Sequence, residues 1–336
     1  MHVHFSVDYR APYALRFHVE GAYAQRSFWL DDLPVVVRLS QSEPDGPLLA
    51  DVYSDRSIDE RSAALRAAVR HMVAADDDLH DFSAAVARDR KMTRLIEGLP
   101  GLKPLRVPDL WTTLLRSLLS QQVSTAAARA IRERLSRAHG HIVYVNDEEI
   151  TVVPDVERTA RLAEADLVAC GLSRRKAEYA RGIAQAFLDG QIDPAHLNAA
   201  PPDELIERLS SLRGVGVWTA ECVGIFCIGH RDLLPGDDLG IQDSIAQLYK
   251  LGHRPKPKEV IKIGKKWAGW RSYAAIYLWG ARNHGLLPAA RLAPVPAPRK
   301  RAPAAPKRAR VAHTKLPARR TGAGKHSPAP PGGRGR

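Results

Sequence analysis

The sequence predicts an α+β fold: a small β-rich N-terminal domain ending in a helix (1–75), an all-helical body (76–290) and a disordered basic tail (291–336). Three observations carry this prediction. Short apolar runs of strand length, separated by turn residues, fill roughly the first 56 positions. From Ile58 onward the apolar residues recur at helical spacing, with Leu65, Val69, Met72 and Val73 sharing one face. Beyond Arg291 the chain is mostly Pro, Ala, Lys and Arg, a composition that cannot build a core.

The predicted strands are "LRFHVE" (15–20), "RSFWL" (26–30), "PVVVRLS" (34–40) and "LLADVYS" (48–54), with "EPDG" (43–46) as a turn. Nearly everything from Ile58 to Gly285 reads as helices joined by short Gly/Pro breaks. With 336 residues the chain can hold two or three domains. It has no apolar run long enough to span a membrane, and its first residues lack the pattern of a secretory signal. Three cysteines, Cys170, Cys222 and Cys227, fit neither a disulfide framework nor an iron–sulfur site, so a reducing, cytoplasmic setting is expected.

The net charge is +13, and its position matters more than its size. Residues 291–336 hold 13 Lys and Arg with no Asp or Glu, while residues 1–290 balance 37 basic against 37 acidic side chains. The tail is therefore read as an arm that tracks phosphates, with a solubilising extension as the alternative.

The stretch "SLRGVGVWTAEC" (211–222) comes after "PDELIERLSSL", in which Leu205, Ile206, Leu209 and Leu212 share a helical face. No strand precedes it and Thr219 stands where a third glycine would be needed, so a dinucleotide fingerprint is excluded; a P-loop lysine is missing too. The pattern is helix, tight Gly-x-Gly hairpin, helix. Gly214 and Gly216 permit a turn that side chains would block and a close approach to another surface. The start of the second helix offers free N–H groups that suit a phosphate without any basic side chain. Downstream, "LLPGDDLGIQDSIAQLYK" places Asp237 and Asp238 just ahead of an amphipathic helix. One carboxylate suffices as a cap, so the other is available as a fixed anion where positive charge develops.

These two stretches together resemble the signature of the helix-hairpin-helix base-excision DNA glycosylase superfamily (HhH-GPD). "LLRSLLSQQVSTAAARAI" (114–131) is similar to the family's segment that enters DNA, and "GLSRRKAEYARGIA" (171–184) to a scaffold helix. "WAGWRSYAAIYLWG" (267–280) resembles the late helix of the bacterial 3-methyladenine DNA glycosylase II branch. The resemblance runs from about Ile96 to Gly285. It implies that Asp238 is the catalytic aspartate, with Asp237 left as a helix or loop partner. Bifunctional members carry a lysine two positions after the second hairpin glycine; here that position is Trp218, which implies base removal without strand cleavage. Trp218 and Trp279 match the aromatic walls of an alkylated-base pocket, and an indole face attracts a cationic purine by roughly 0.5–2 kcal/mol. Cys222 stands where the branch has a tyrosine. Gln121 and Gln122 lie in the DNA-entering segment, with Gln122 at the position that plugs the gap left by an extruded base and Ser124 set to cap the next helix. Gly214, Val215, Gly216 and Thr219 match the DNA-binding hairpin, and Arg271 is read as orienting a helix end or a phosphate.

The resemblance thus implies a monomeric glycosylase of the bacterial cytoplasm and nucleoid. It would act on double-stranded DNA carrying alkylated bases, without a membrane and without a redox or nucleotide cofactor. The backbone carbonyls of Ser210, Leu212 and Val215 would hold a structural Na⁺ or K⁺. The rival readings are a glycosylase for a deaminated or oxidised base and a non-catalytic helix-hairpin-helix protein. Deleting residues 291–336 should flatten the dependence of DNA affinity on salt without changing excision at low salt. An unchanged slope of log affinity against log salt would refute the arm.

Overall fold

The computed structural model describes residues 1–19 and 22–287; the expected tail lies outside the described residues. Four antiparallel strands form the N-terminal sheet: β1 (His2–Ser6), β2 (Ala24–Leu30), β3 (Leu33–Gln41) and β4 (Leu48–Tyr53), in the order β1-β4-β3-β2. Three of the four predicted runs are strands. The exception, "LRFH", is a single 3₁₀ turn (Leu15–His18), because the Leu15 N–H is satisfied by the Gln41 side chain at 2.8 Å rather than by a strand. β1 takes the expected fourth place, paired with β4 from His2↔Tyr53 to Ser6↔Leu49.

β3 is buried on both faces, which explains its nearly unbroken apolar sequence. Leu33, Val35, Val37 and Leu39 join a core completed by Leu65, Val69 and Met72 of helix α1 (Ser62–Met72). Val36 points the other way, onto a second hairpin formed by β5 (His141–Val145) and β6 (Glu148–Val152), where it meets Val143, Val145, Ile150 and Val152. This hairpin interrupts the stretch expected to be wholly helical. Its turn residues Asn146 and Asp147 both have positive φ, at 49° and 67°, as a tight hairpin turn requires.

The remaining helices are α2 (Leu79–Val86), α3 (Arg90–Gly98), α4 (Leu110–Ser120), α5 (Thr125–His139), α6 (Val156–Arg161), α7 (Glu164–Ala169) and α8 (Arg174–Leu188). They continue as α9 (Pro194–Ala199), α10 (Pro202–Ser210), α11 (Val217–Val223), α12 (Leu239–Tyr249), α13 (Pro257–Gly264) and α14 (Arg271–Asn283). None of the described helices is long and apolar enough to cross a membrane. The helices pack into two cores. One gathers Leu114, Leu118, Ala180, Leu205 and Leu209; the other gathers Phe82, Ile241, Ile245, Trp267 and Tyr277. α11 runs along the seam: Ala220 and Val223 belong to the first core, while Ile225, just past its end, belongs to the second.

Polar ties join the sheet to the helices. Lys103 is fully buried and donates to the carbonyls of Arg10 (2.7 Å), Ala74 (3.3 Å) and Asp77 (2.6 Å). Burial lowers its amine to a pKa of about 8. Asp109 caps α4, accepting from the Trp111 and Thr112 N–H groups, and also accepts from the N–H of Trp29 on β2 at 3.2 Å. Asp109→Ala would therefore strand N–H groups on two elements at once, and should cost about 2–4 kcal/mol in denaturant unfolding rather than the roughly 1 kcal/mol of a simple cap.

Candidate functional site

The hairpin begins where α10 ends. Proline opens α10 at Pro202, acidic Asp203 and Glu204 occupy its first turn, and Leu205 and Leu209 fix its buried face. The chain then turns through Leu212–Val215, closed by a hydrogen bond from Val215 N–H to Leu212 O at 3.0 Å. Gly214 has φ of +93°, and a Cβ there would lie 2.3 Å from Cγ of Tyr179 on α8. Gly216 differs. It is the N-cap of α11, with φ of −93°, and a Cβ on it would meet nothing within 4 Å. Lacking a side chain, it leaves the first N–H groups of α11 uncapped. Val215 is buried and anchors the loop in the first helical core, while Val217 is 49% exposed beside it.

Gln121 ends α4, and its amide donates to the Gly214 carbonyl (3.0 Å) and to the Thr219 hydroxyl (3.1 Å). Lys176 of α8 in turn donates to the carbonyls of Leu119 (3.0 Å) and Gln121 (2.7 Å). Sequence assigns Gln121 and Thr219 to the DNA surface; the structure instead places their side chains between the α4–α5 break and the hairpin. Thr219 is only 1% exposed. Gln122, by contrast, is exposed and held at φ +55°, next to Val123, and Ser124 caps α5 as expected.

α11 continues into a π-helical turn, Gly224–Ile228, that ends at Gly229 with φ +86°. The loop beyond it is pinned by two helices, α14 and α12. Arg271, first residue of α14, grips Asp232 with two side-chain bonds of 2.7 Å; Ser272 accepts from Leu233 N–H at 2.9 Å; and Gln242 of α12 donates to Gly236 O at 2.8 Å. Arg271 thus orients a helix end.

The loop delivers Asp238 as the N-cap of α12, accepting from Ile241 N–H at 2.8 Å. Two indoles complete its shell: Trp279 Nε1 donates to Oδ1 at 3.0 Å and Trp218 Nε1 to Oδ2 at 2.9 Å. The division of labour read from the sequence changes accordingly, since Asp238 is itself the cap and Asp237 is exposed beside it. Trp279 is the one half-buried residue in the otherwise buried stretch from Ser272 to Ala281 of α14; its ring packs on the edge of the second core beside Phe226 while its N–H reaches Asp238. A Cβ on Gly240 would crowd Asp238 Oδ1 at 3.0 Å but make only ordinary contact, at 3.6 Å, with the Trp279 indole. Leu239, between Asp238 and Gly240, is 57% exposed.

Cys222 is buried, and its thiol is pushed above the usual range by burial first and then by Asp238 and Glu221, which disfavours the nucleophilic thiolate. Glu221 was not legible as a site residue. It is 9% exposed, and burial, followed by Asp237 and Asp238, raises its carboxyl to about 8. The sequence signal is that no other Asp, Glu, Lys or Arg stands between Arg213 and Arg231.

A Gly-x-Gly hairpin between helices, with a Pro/Gly loop after it that presents an aspartate at a helix start, defines a helix-hairpin-helix DNA-repair protein of the base-excision type. The chain belongs to the HhH-GPD superfamily of base excision DNA repair proteins, whose family model matches residues 115–269. It is 31% identical over 204 residues to a DNA-3-methyladenine glycosylase of Bacillus subtilis, covering 61% of this chain and 67% of that one. The Schizosaccharomyces pombe 3-methyladenine DNA glycosylase solved in complex with abasic DNA aligns with a TM-score of 0.54 at 29% identity, covering 60% of this chain and 97% of that one. A 3-methyladenine DNA-glycosylase from Archaeoglobus fulgidus shares the fold more extensively, with a TM-score of 0.70 at 21% identity over 83% of this chain and 98% of that one.

The two hairpin glycines should separate on substitution. Gly214→Ala, strained in φ and blocked by Tyr179, should lose about 2 kcal/mol or more in thermal or denaturant unfolding. Gly216→Ala should lose no more than about 1 kcal/mol, the cost of a poorer cap.

Proposed function

We propose that this protein is a DNA glycosylase of base excision repair that hydrolyses the N-glycosidic bond of alkylated purines, of the 3-methyladenine and 7-methylguanine type, and leaves the sugar–phosphate strand intact. The observation that carries the reading is the grip of two indole N–H groups on the carboxylate of Asp238 at the start of α12. It fixes one negative charge at the N–H edges of two indoles whose electron-rich faces suit a cationic purine, while the charge itself suits a developing oxocarbenium ion. The names of the relatives support the substrate class, and tryptophan at position 218 leaves no amine there to form a Schiff base.

In this mechanism the duplex docks on Gly214–Gly216 and Gln122 fills the gap left by the extruded nucleotide. The base stacks between Trp218 and Trp279, with Cys222 as a small wall. The bond to the sugar breaks with oxocarbenium character, and Asp238 stabilises that charge and orients the attacking water. A base that already carries positive charge leaves without a proton. The carbonyls of Ser210 and Val215 accept no hydrogen bond from the described residues, and that of Leu212 accepts one; this hard-oxygen set would hold a Na⁺ or K⁺, which would add positive charge to the hairpin for a phosphate. We assign residues 1–75 and 76–290 as the N-terminal domain and the catalytic body of a monomer working on nucleoid DNA in the cytoplasm.

Incubation with methylated duplex DNA should release free 3-methyladenine and leave a strand that breaks only on later alkali treatment. Asp238→Asn should still bind lesion DNA yet excise at least on the order of 10²-fold more slowly. Near-normal turnover by that variant, or strand breaks without alkali, would refute the assignment.

A further inference from the structure

Glu221 is the ionisable group of this site that glycosidic bond cleavage by Asp238 leaves unused. It lies three residues after Trp218 and directly before Cys222, so it shares the face of α11 that carries the pocket walls. The residue is nine-tenths buried, and its carboxyl has no hydrogen-bond or ion-pair partner among the described residues. The titratable groups that face it are Asp237 and Asp238, from the loop ahead of α12, and Cys222 on its own helix; no cation is among them. Burial and the two aspartates together raise its pKa to about 8, so the group is mostly protonated at neutral pH. The site thus sets a carboxylic acid, kept neutral chiefly by its burial, beside the side chain of Asp238.

We propose that Glu221 is a general acid, delivering its proton directly or through one water to a departing purine that carries no positive charge of its own. The proposal rests on the glycosylase reading. The bond between C1′ and the purine nitrogen breaks, and its electron pair goes to the base. A ring nitrogen of that base takes the proton of Glu221, while Asp238 faces the oxocarbenium ion. Water then adds to C1′, and the proton it loses restores the acid form of Glu221. Nothing beyond water is consumed. A cationic purine departs as a neutral molecule and needs no such proton, so the contribution of Glu221 depends on the charge of the lesion.

The test is single-turnover excision by the full chain from two duplexes, one carrying 7-methylguanine and one carrying hypoxanthine, across pH 6–9. In the wild type, hypoxanthine release should fall as pH rises through about 8 while 7-methylguanine release does not. Glu221→Gln should lower the ratio of hypoxanthine to 7-methylguanine release by about tenfold or more and flatten that limb, and Glu221→Asp should recover part of the ratio. Equal slowing on both duplexes, a limb that survives in Glu221→Gln, or 7-methylguanine release with no hypoxanthine release in the wild type would each overturn the proposal. The wild-type comparison needs no variant to fold. Failure to release 7-methylguanine as well would instead sink the glycosylase reading on which it rests.

Discussion

The grip of three N–H groups on one carboxylate organises this molecule. Asp238 receives them from Ile241 on its own helix, Trp218 on α11 and Trp279 on α14. The two indoles come from segments 20 and 41 residues away in the chain, and their convergence requires both helical cores to be in place. The course of α11 along the seam between those cores and the pinned loop both serve that convergence. Each indole gives its N–H to the acid, so the orientation of the two rings and that of the aspartate are set together.

Burial decides the contrast between the acidic residues. Asp237 is exposed and Asp238 is met by three donors, while Glu221 is enclosed without one. The same chemical group, placed at three points within one turn of helix and one loop, acquires three different environments. Differentiation of this kind costs the fold stability, since an unpartnered carboxyl in a buried position is unfavourable. It is the type of local penalty that protein structures concentrate at working sites.

Much of this was readable in the chain. The aspartate at a helix start, the Gly-x-Gly turn, the Ser124 cap and the long helical stretches depend on neighbours a few residues apart, and such signals survive in a linear sequence. β1 was missed because five residues at a terminus, two of them histidines, make a weak alternation. The β5–β6 hairpin was missed although Asn146 and Asp147 mark its turn, because its partner surface is formed by Trp29 and Val36, more than a hundred residues earlier. "LRFH" has strand composition, but the Gln41 side chain answers its backbone instead of a strand. The inward roles of Gln121 and Thr219 and the enclosure of Glu221 are consequences of tertiary contact, invisible to any local rule.

The stitch from Gln121 to Gly214 and Thr219, backed by Lys176 from α8, makes a single plate of the α4–α5 break and the hairpin. A surface tied together in this way would leave most of the work of deformation to its substrate. Under the proposed function, curvature or unstacking needed to extrude a nucleotide would then be drawn mostly from the double helix. Intact, well-stacked steps resist that demand most, and weakened ones least. Discrimination would begin as a mechanical inspection of stiffness along the duplex, before any atom of the lesion is touched.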